Sequence, residues 1–130
     1  MKHALAIAAP LLAASLAVTF NATQMLGAHP QWASTVLLIG APGGLALGYV
    51  LYAIRLPYLL RVVLAFGIAG GAFYLAREGQ AAFAASFAED AAAGQQWFFG
   101  WIATCMGAAA TLTTIFLRPE PKADLESQEE

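Results

Sequence analysis

The stretch Gly40-Ala41-Pro42-Gly43-Gly44-Leu45-Ala46-Leu47-Gly48 lies inside an uncharged apolar segment that runs from Ser34 to Ile54. A helix carrying that much glycine is badly destabilised in water, whereas in lipid the same residues let two helix backbones come close together. Gly40, Gly44 and Gly48 recur every four residues, so on an α-helix they share one face, drifting by only about 40° per step. That face is a groove, and it predicts a second helix to fill it. The fold class that follows is an all-α integral membrane protein of four transmembrane helices, with a short amphipathic helix between the third and the fourth.

Composition points the same way. The chain has 130 residues, 60% of them hydrophobic and 11% charged, far from the soluble average and short enough for a single domain. A formal charge of -2 with 6 Lys and Arg residues offers no basic surface with which to neutralise phosphates, so nucleic acid is not expected as a partner. Cys105 is the lone cysteine; it has no partner for an internal disulfide and reads as a small packing residue.

The spans are predicted at about 4–26, 34–54, 58–76 and 97–117, each near the roughly 20 residues that a bilayer requires. The first begins after Lys2 and His3 and fits either a retained helix or a signal peptide. Ala17-Val18-Thr19, followed by Phe20, is a weak cleavage site, so retention is expected. Pro10 should bend this helix, which membrane helices tolerate when neighbours or water satisfy the freed carbonyl. Gly27 to Trp32 has the chemistry of a turn at the membrane interface, and Tyr49 and Tyr52 read as interfacial aromatics. Arg55-Leu56-Pro57 makes a tight reversal, so the second and third spans form an antiparallel hairpin. Arg61, in the first turn of the third span, is expected to snorkel to the headgroups. Arg77-Glu78-Gly79 ends that span, and Gln80 to Gly94, with Phe83 and Phe87 at i,i+4, reads as the amphipathic helix. Residues 1–118 then form the transmembrane domain. Residues 119–130, with five carboxylates against Lys122 alone, form a disordered acidic tail.

Basic residues set the orientation. With both termini inside, Lys2, Arg55, Arg61, Arg118 and Lys122 are cytoplasmic and only Arg77 is outside, as the positive-inside rule requires. The expected location is therefore a bacterial-type inner membrane, crossed several times.

Chemistry-bearing groups avoid the spans. Glu78, Glu89, Asp90 and the five tail carboxylates all fall outside them, so no mid-membrane charge is available to take up and release protons. In size and layout the chain is similar to a small multidrug resistance transporter, but the membrane-embedded glutamate that such proteins use is missing, and their activity is not carried over. His3 and His29 sit at the amino terminus and in a loop, unsuited to haem ligation across a bundle. Metal-ligand spacings, nucleophile elbows, Walker loops and dinucleotide fingerprints are absent. No catalytic residue, metal site or cofactor is expected, and the chain does not read as an enzyme.

What recurs is packing chemistry. Small residues line up at Ala9, Ala13 and Ala17, at Gly40, Gly44 and Gly48, at Gly67 and Gly71, and at Ala103, Gly107 and Thr111. In lipid, where apolar surface gives helices no drive to associate, such lines let close contact hold a bundle together. Pro42 followed by Gly43 marks a hinge or a static kink, the kink being preferred. The leading functional expectation is an accessory or structural subunit that packs against other membrane proteins or copies of itself. The alternative is a small oligomeric transporter or channel with its path near Pro42, and a holin-like pore former comes third.

Overall fold

Long apolar runs can satisfy their backbone groups without water by forming α-helices. The chain does so in α1 (Lys2–Thr19), α2 (Ala22–Met25), α3 (Ala33–Ala53), α4 (Tyr58–Ala85) and α5 (Ala91–Phe116). The computed structural model describes residues 1–119; apart from Pro119, the expected acidic tail lies outside the described residues. All regular structure among them is helical. Four helices, α1, α3, α4 and α5, are long and apolar enough to cross a membrane.

The last helix is the hub. α5 packs against α4, α3 and α1, and α1 also touches α3. By contrast α3 and α4 scarcely meet, although only Ile54 to Pro57 joins them, with Arg55 left-handed at φ 62°. The expected hairpin of the second and third spans is therefore splayed around α5. Its reason lies in the side chains: α5 presents Gly100, Gly107, Ala109 and Ala110 on surfaces where both neighbours can approach. The main core joins Val36 and Leu37 of α3, Ala76 of α4 and Trp97, Trp101 and Cys105 of α5.

Three expected boundaries move, the end of the first span, the end of the third and the start of the fourth. The first span does not run to residue 26 as one helix. It stops at Thr19, and Asn21 turns the chain in the left-handed region at φ 54°, which asparagine tolerates better than most residues. The single turn α2 then folds toward α3: the buried Thr23 hydroxyl donates to the Ala33 carbonyl at 2.8 Å. The separate amphipathic helix is also absent. Gly79 does not end the third span but lies inside α4, where a Cβ would come 2.7 Å from the Trp97 nitrogen and 2.9 Å from the Ala93 carbonyl oxygen. Glycine is needed there for the approach of α5, and the alanines after it carry the helix on to Ala85.

The true break comes at residues 86–90. Phe87 and Ala88 adopt φ of 56° and 65°, and Ser86 bridges the turn, donating to the Phe83 carbonyl and accepting from the Asp90 N–H, each at 2.9 Å. Asp90 caps α5 by accepting from the Ala93 N–H at 3.1 Å. The residues assigned to an amphipathic helix thus divide between the end of α4, this turn and the start of α5. At 28 and 26 residues, α4 and α5 are roughly 42 and 39 Å long, longer than a hydrocarbon core of about 30 Å.

Candidate functional site

The glycine face of α3 is filled, and α5 fills it. A Cβ on Gly40 would collide with the Cβ of Cys105, and one on Gly44 with the Met106 carbonyl and the Ala109 side chain. At Gly48 it would come within 2.7 Å of Thr113 Cγ2. Gly43 faces the Met106 side chain at 3.3 Å, and Pro42 is exposed. The helix passes through Pro42 without an unwound segment. On the opposite side of α5, Gly100 and Gly107 lie against Ala76 and Ala69 of α4, with Cβ approaches of 2.9 and 2.7 Å to their Cα atoms.

Gly67 and Gly71, placed by sequence on a packing line, behave differently. A Cβ added there or at Gly70 would meet nothing within 4 Å beyond the neighbouring backbone of its own helix, so the three glycines leave an open strip on α4. Around it Leu59, Val63, Phe66, Tyr74 and Leu75 are exposed. The groove on α3 and the groove on α4 therefore do not meet; one is used inside the chain and the other is free within it.

Polar groups inside the bundle are few and mostly matched. Pro10 lacks the N–H that would bond the Ala6 carbonyl in an unbroken helix. The Thr113 hydroxyl of α5 supplies the missing donor, bonding Ala6 O at 2.9 Å with both residues fully buried. Thr104 and Thr111 instead donate to carbonyls four residues back in their own helix, Gly100 and Gly107, at 2.7 Å each. Thr114 Oγ1 and Trp101 Nε1 have no partner among the described residues.

Each end of the bundle gathers an aromatic and polar cluster. At one end Arg61 is not snorkelled outward but only 4% exposed. Its Nε donates to the Leu56 carbonyl at 3.1 Å and its Nη2 to the Leu117 carbonyl at 3.3 Å. The guanidinium carbon stands 5.4 Å from the ring centroid of Tyr52 and 5.5 Å from that of Tyr58, a cation held by two π-faces. Lys2 Nζ lies 5.7 Å from the same Tyr52 ring, and His3 Nδ1 is 3.0 Å from the Tyr49 hydroxyl. Sequence reads Tyr49 and Tyr52 as interfacial aromatics, but burial of Arg61 depends on the distant end of α5, which no local pattern reveals.

At the other end His29 is half-buried, stacked on Trp32 and edge-on to Trp97, with centroids 5.9 and 5.5 Å away. Trp97 Nε1 donates to the Gly27 carbonyl at 3.0 Å, and Arg77 Nη1 to the Leu26 carbonyl at 3.3 Å. The rings pack directly on one another, so this cluster is a plug that ties the 20–32 segment to α4 and α5.

Space occurs around α1. A cavity of about 230 Å³ lies between α1, α3 and α5, with Pro10, Ala14, Ala41, Trp101 and Cys105 among its walls. A groove of about 360 Å³ lies between α1 and α3 beside Leu38 and Pro42. Both are walled almost wholly by apolar side chains. Among the described residues no cluster of His, Cys, Asp or Glu is able to hold a metal ion. No family model, no curated protein and no solved structure matches the chain.

Proposed function

We propose that the chain is a multi-pass membrane protein that serves as an accessory or structural subunit, docking a transmembrane helix of another membrane protein, or of a second copy, on the outer face of α4. The observation that carries this reading is the open strip Gly67, Gly70 and Gly71. Glycine in a membrane helix lets a neighbouring helix come near, and inside this chain each of the other helix glycines faces a neighbouring helix while these three do not. The distribution of basic residues supports an orientation with both termini in the cytoplasm.

The test starts from native membranes. The chain should stay with the membrane after alkaline carbonate washing, and in mild detergent it should co-migrate with a fixed partner or as an oligomer. Gly67→Leu with Gly71→Leu should release it as a folded monomer. A wild-type monomer, monodisperse when extracted in mild detergent, overturns the docking role.

A second reading, a small oligomeric transporter or channel, draws support from the cavity and groove that flank α1 near Pro42. It predicts solute flux in proteoliposomes that contain this protein alone. Silence across ions and small apolar solutes removes it.

A further inference from the structure

One end of the bundle concentrates cations, and among the described residues no carboxylate stands there to balance them. Lys2, Arg55, Arg61 and Arg118 belong to the start of α1, the α3–α4 loop, the first turn of α4 and the end of α5. The acids among the described residues, Glu78, Glu89 and Asp90, belong to the far part of α4 and the turn that follows it. Burying a guanidinium without a counter-charge is expensive. For Arg61 the two carbonyls and the two tyrosine rings offset part of this cost, yet its Nη1, enclosed with the rest of the side chain, has no acceptor among the described residues. A second cation, Lys2, leans on the same Tyr52 ring.

We propose that Arg61 and Lys2 form a binding site for the phosphate of an anionic phospholipid headgroup, which gives Arg61 Nη1 its missing acceptor and neutralises both cations. The inference rests on the reading that the chain spans a membrane, which puts this end at headgroup depth. Guanidinium and phosphate match in geometry as well as charge, and the contact is a charge-assisted hydrogen bond in a poorly hydrated place. In the proposed site the first turn of α1 moves aside to admit the headgroup. It is held by Lys2 over Tyr52 and by the His3–Tyr49 hydrogen bond, and it begins at the fully exposed Met1. Lifting that turn takes Lys2 off the Tyr52 ring on which the guanidinium also rests.

The experiment uses the full chain in maltoside micelles doped either with phosphatidylglycerol or with a neutral, phosphate-free glucosyl diacylglycerol. Lipid retention is read by native mass spectrometry and stability by thermal melting. Phosphatidylglycerol should be retained at one per chain and should raise the melting temperature, while the glycolipid should do neither. Arg61→Gln should weaken retention at least about tenfold, the value of a lost charged hydrogen bond. Lys2→Gln, at a half-buried position that leaves the core intact, should weaken it about two- to fivefold. Deleting residues 120–130 should leave the lipid effect unchanged.

Equal retention of the two lipids overturns the site, as does unaltered phosphatidylglycerol binding by both variants. If deletion of the tail destabilises the chain as Arg61→Gln does, and phosphatidylglycerol adds nothing to the full chain, a tail carboxylate is the occupant and the lipid assignment fails. An equal stabilisation by inorganic phosphate in pure maltoside assigns a free anion instead and also overturns it. Release of the chain by carbonate washing, by contrast, marks failure of the membrane reading itself.

Discussion

A single missing hydrogen explains one of the few polar contacts inside this bundle. Pro10 frees the Ala6 carbonyl, and Thr113 answers it from 107 residues away in sequence. Thr113→Val should therefore lower stability by about 1 kcal/mol, the size of an interhelical hydrogen bond in a membrane or of a buried acceptor left unmatched. In a Pro10→Ala background the backbone N–H returns, and the same substitution should cost much less. Unfolding of the four proteins in mixed micelles measures this coupling, and equal losses in both backgrounds would show that Thr113 acts through packing alone. At the start of α5 the single carboxylate cap has a similar value: Asp90→Ala should cost about 1 kcal/mol, seen as lowered thermal stability with unchanged helix content below the transition.

Between helices, glycine position matters more than glycine number. Gly44→Ala puts a methyl group into the Met106 carbonyl and the Ala109 side chain, so α3 and α5 must separate, with an expected loss of about 1–3 kcal/mol. Gly70→Ala meets nothing within 4 Å and should leave the monomer at least as stable, because alanine is the better helix former by up to about 1 kcal/mol. Melting curves of the two variants in detergent make the comparison, and equal destabilisation would falsify the assignment of α5 as the partner of α3. The same reasoning explains the continuity of α4. Gly79 resembles a helix stop in sequence, but its missing side chain is what the Trp97 and Ala93 backbones require, and tertiary contact overrides the local signal.

For the molecule as a whole, the distribution of cations gives a topology that can be measured. Lys2, Arg55, Arg61 and Arg118 gather at one end and Arg77 at the other. A phosphatase domain fused after Glu130 should be inactive and a cytoplasmic fluorescent reporter active; phosphatase activity would reverse the proposed orientation. The docking proposed for the open α4 strip and the lipid site proposed at the Arg61 end belong to this scale too, since each calls on a surface that a second molecule would complete.

Much of the helical architecture was legible from the residues because apolar length and uncharged runs depend on the chain alone. The helical class, the four long apolar helices, the reversal at Arg55 to Pro57 and the small-residue face of α3 all follow from such local signals. Which helix fills that face was not legible, since alanine and glycine lines occur on several helices and any two such lines can pair. Nor was the burial of Arg61, which needs the Leu117 carbonyl, or the divergent use of Gly44 and Gly67, which look alike in sequence. Those were decided by α5 at the centre of the bundle: close packing allows one neighbour at each glycine face, and only the three-dimensional arrangement determines whether a face is occupied or left open.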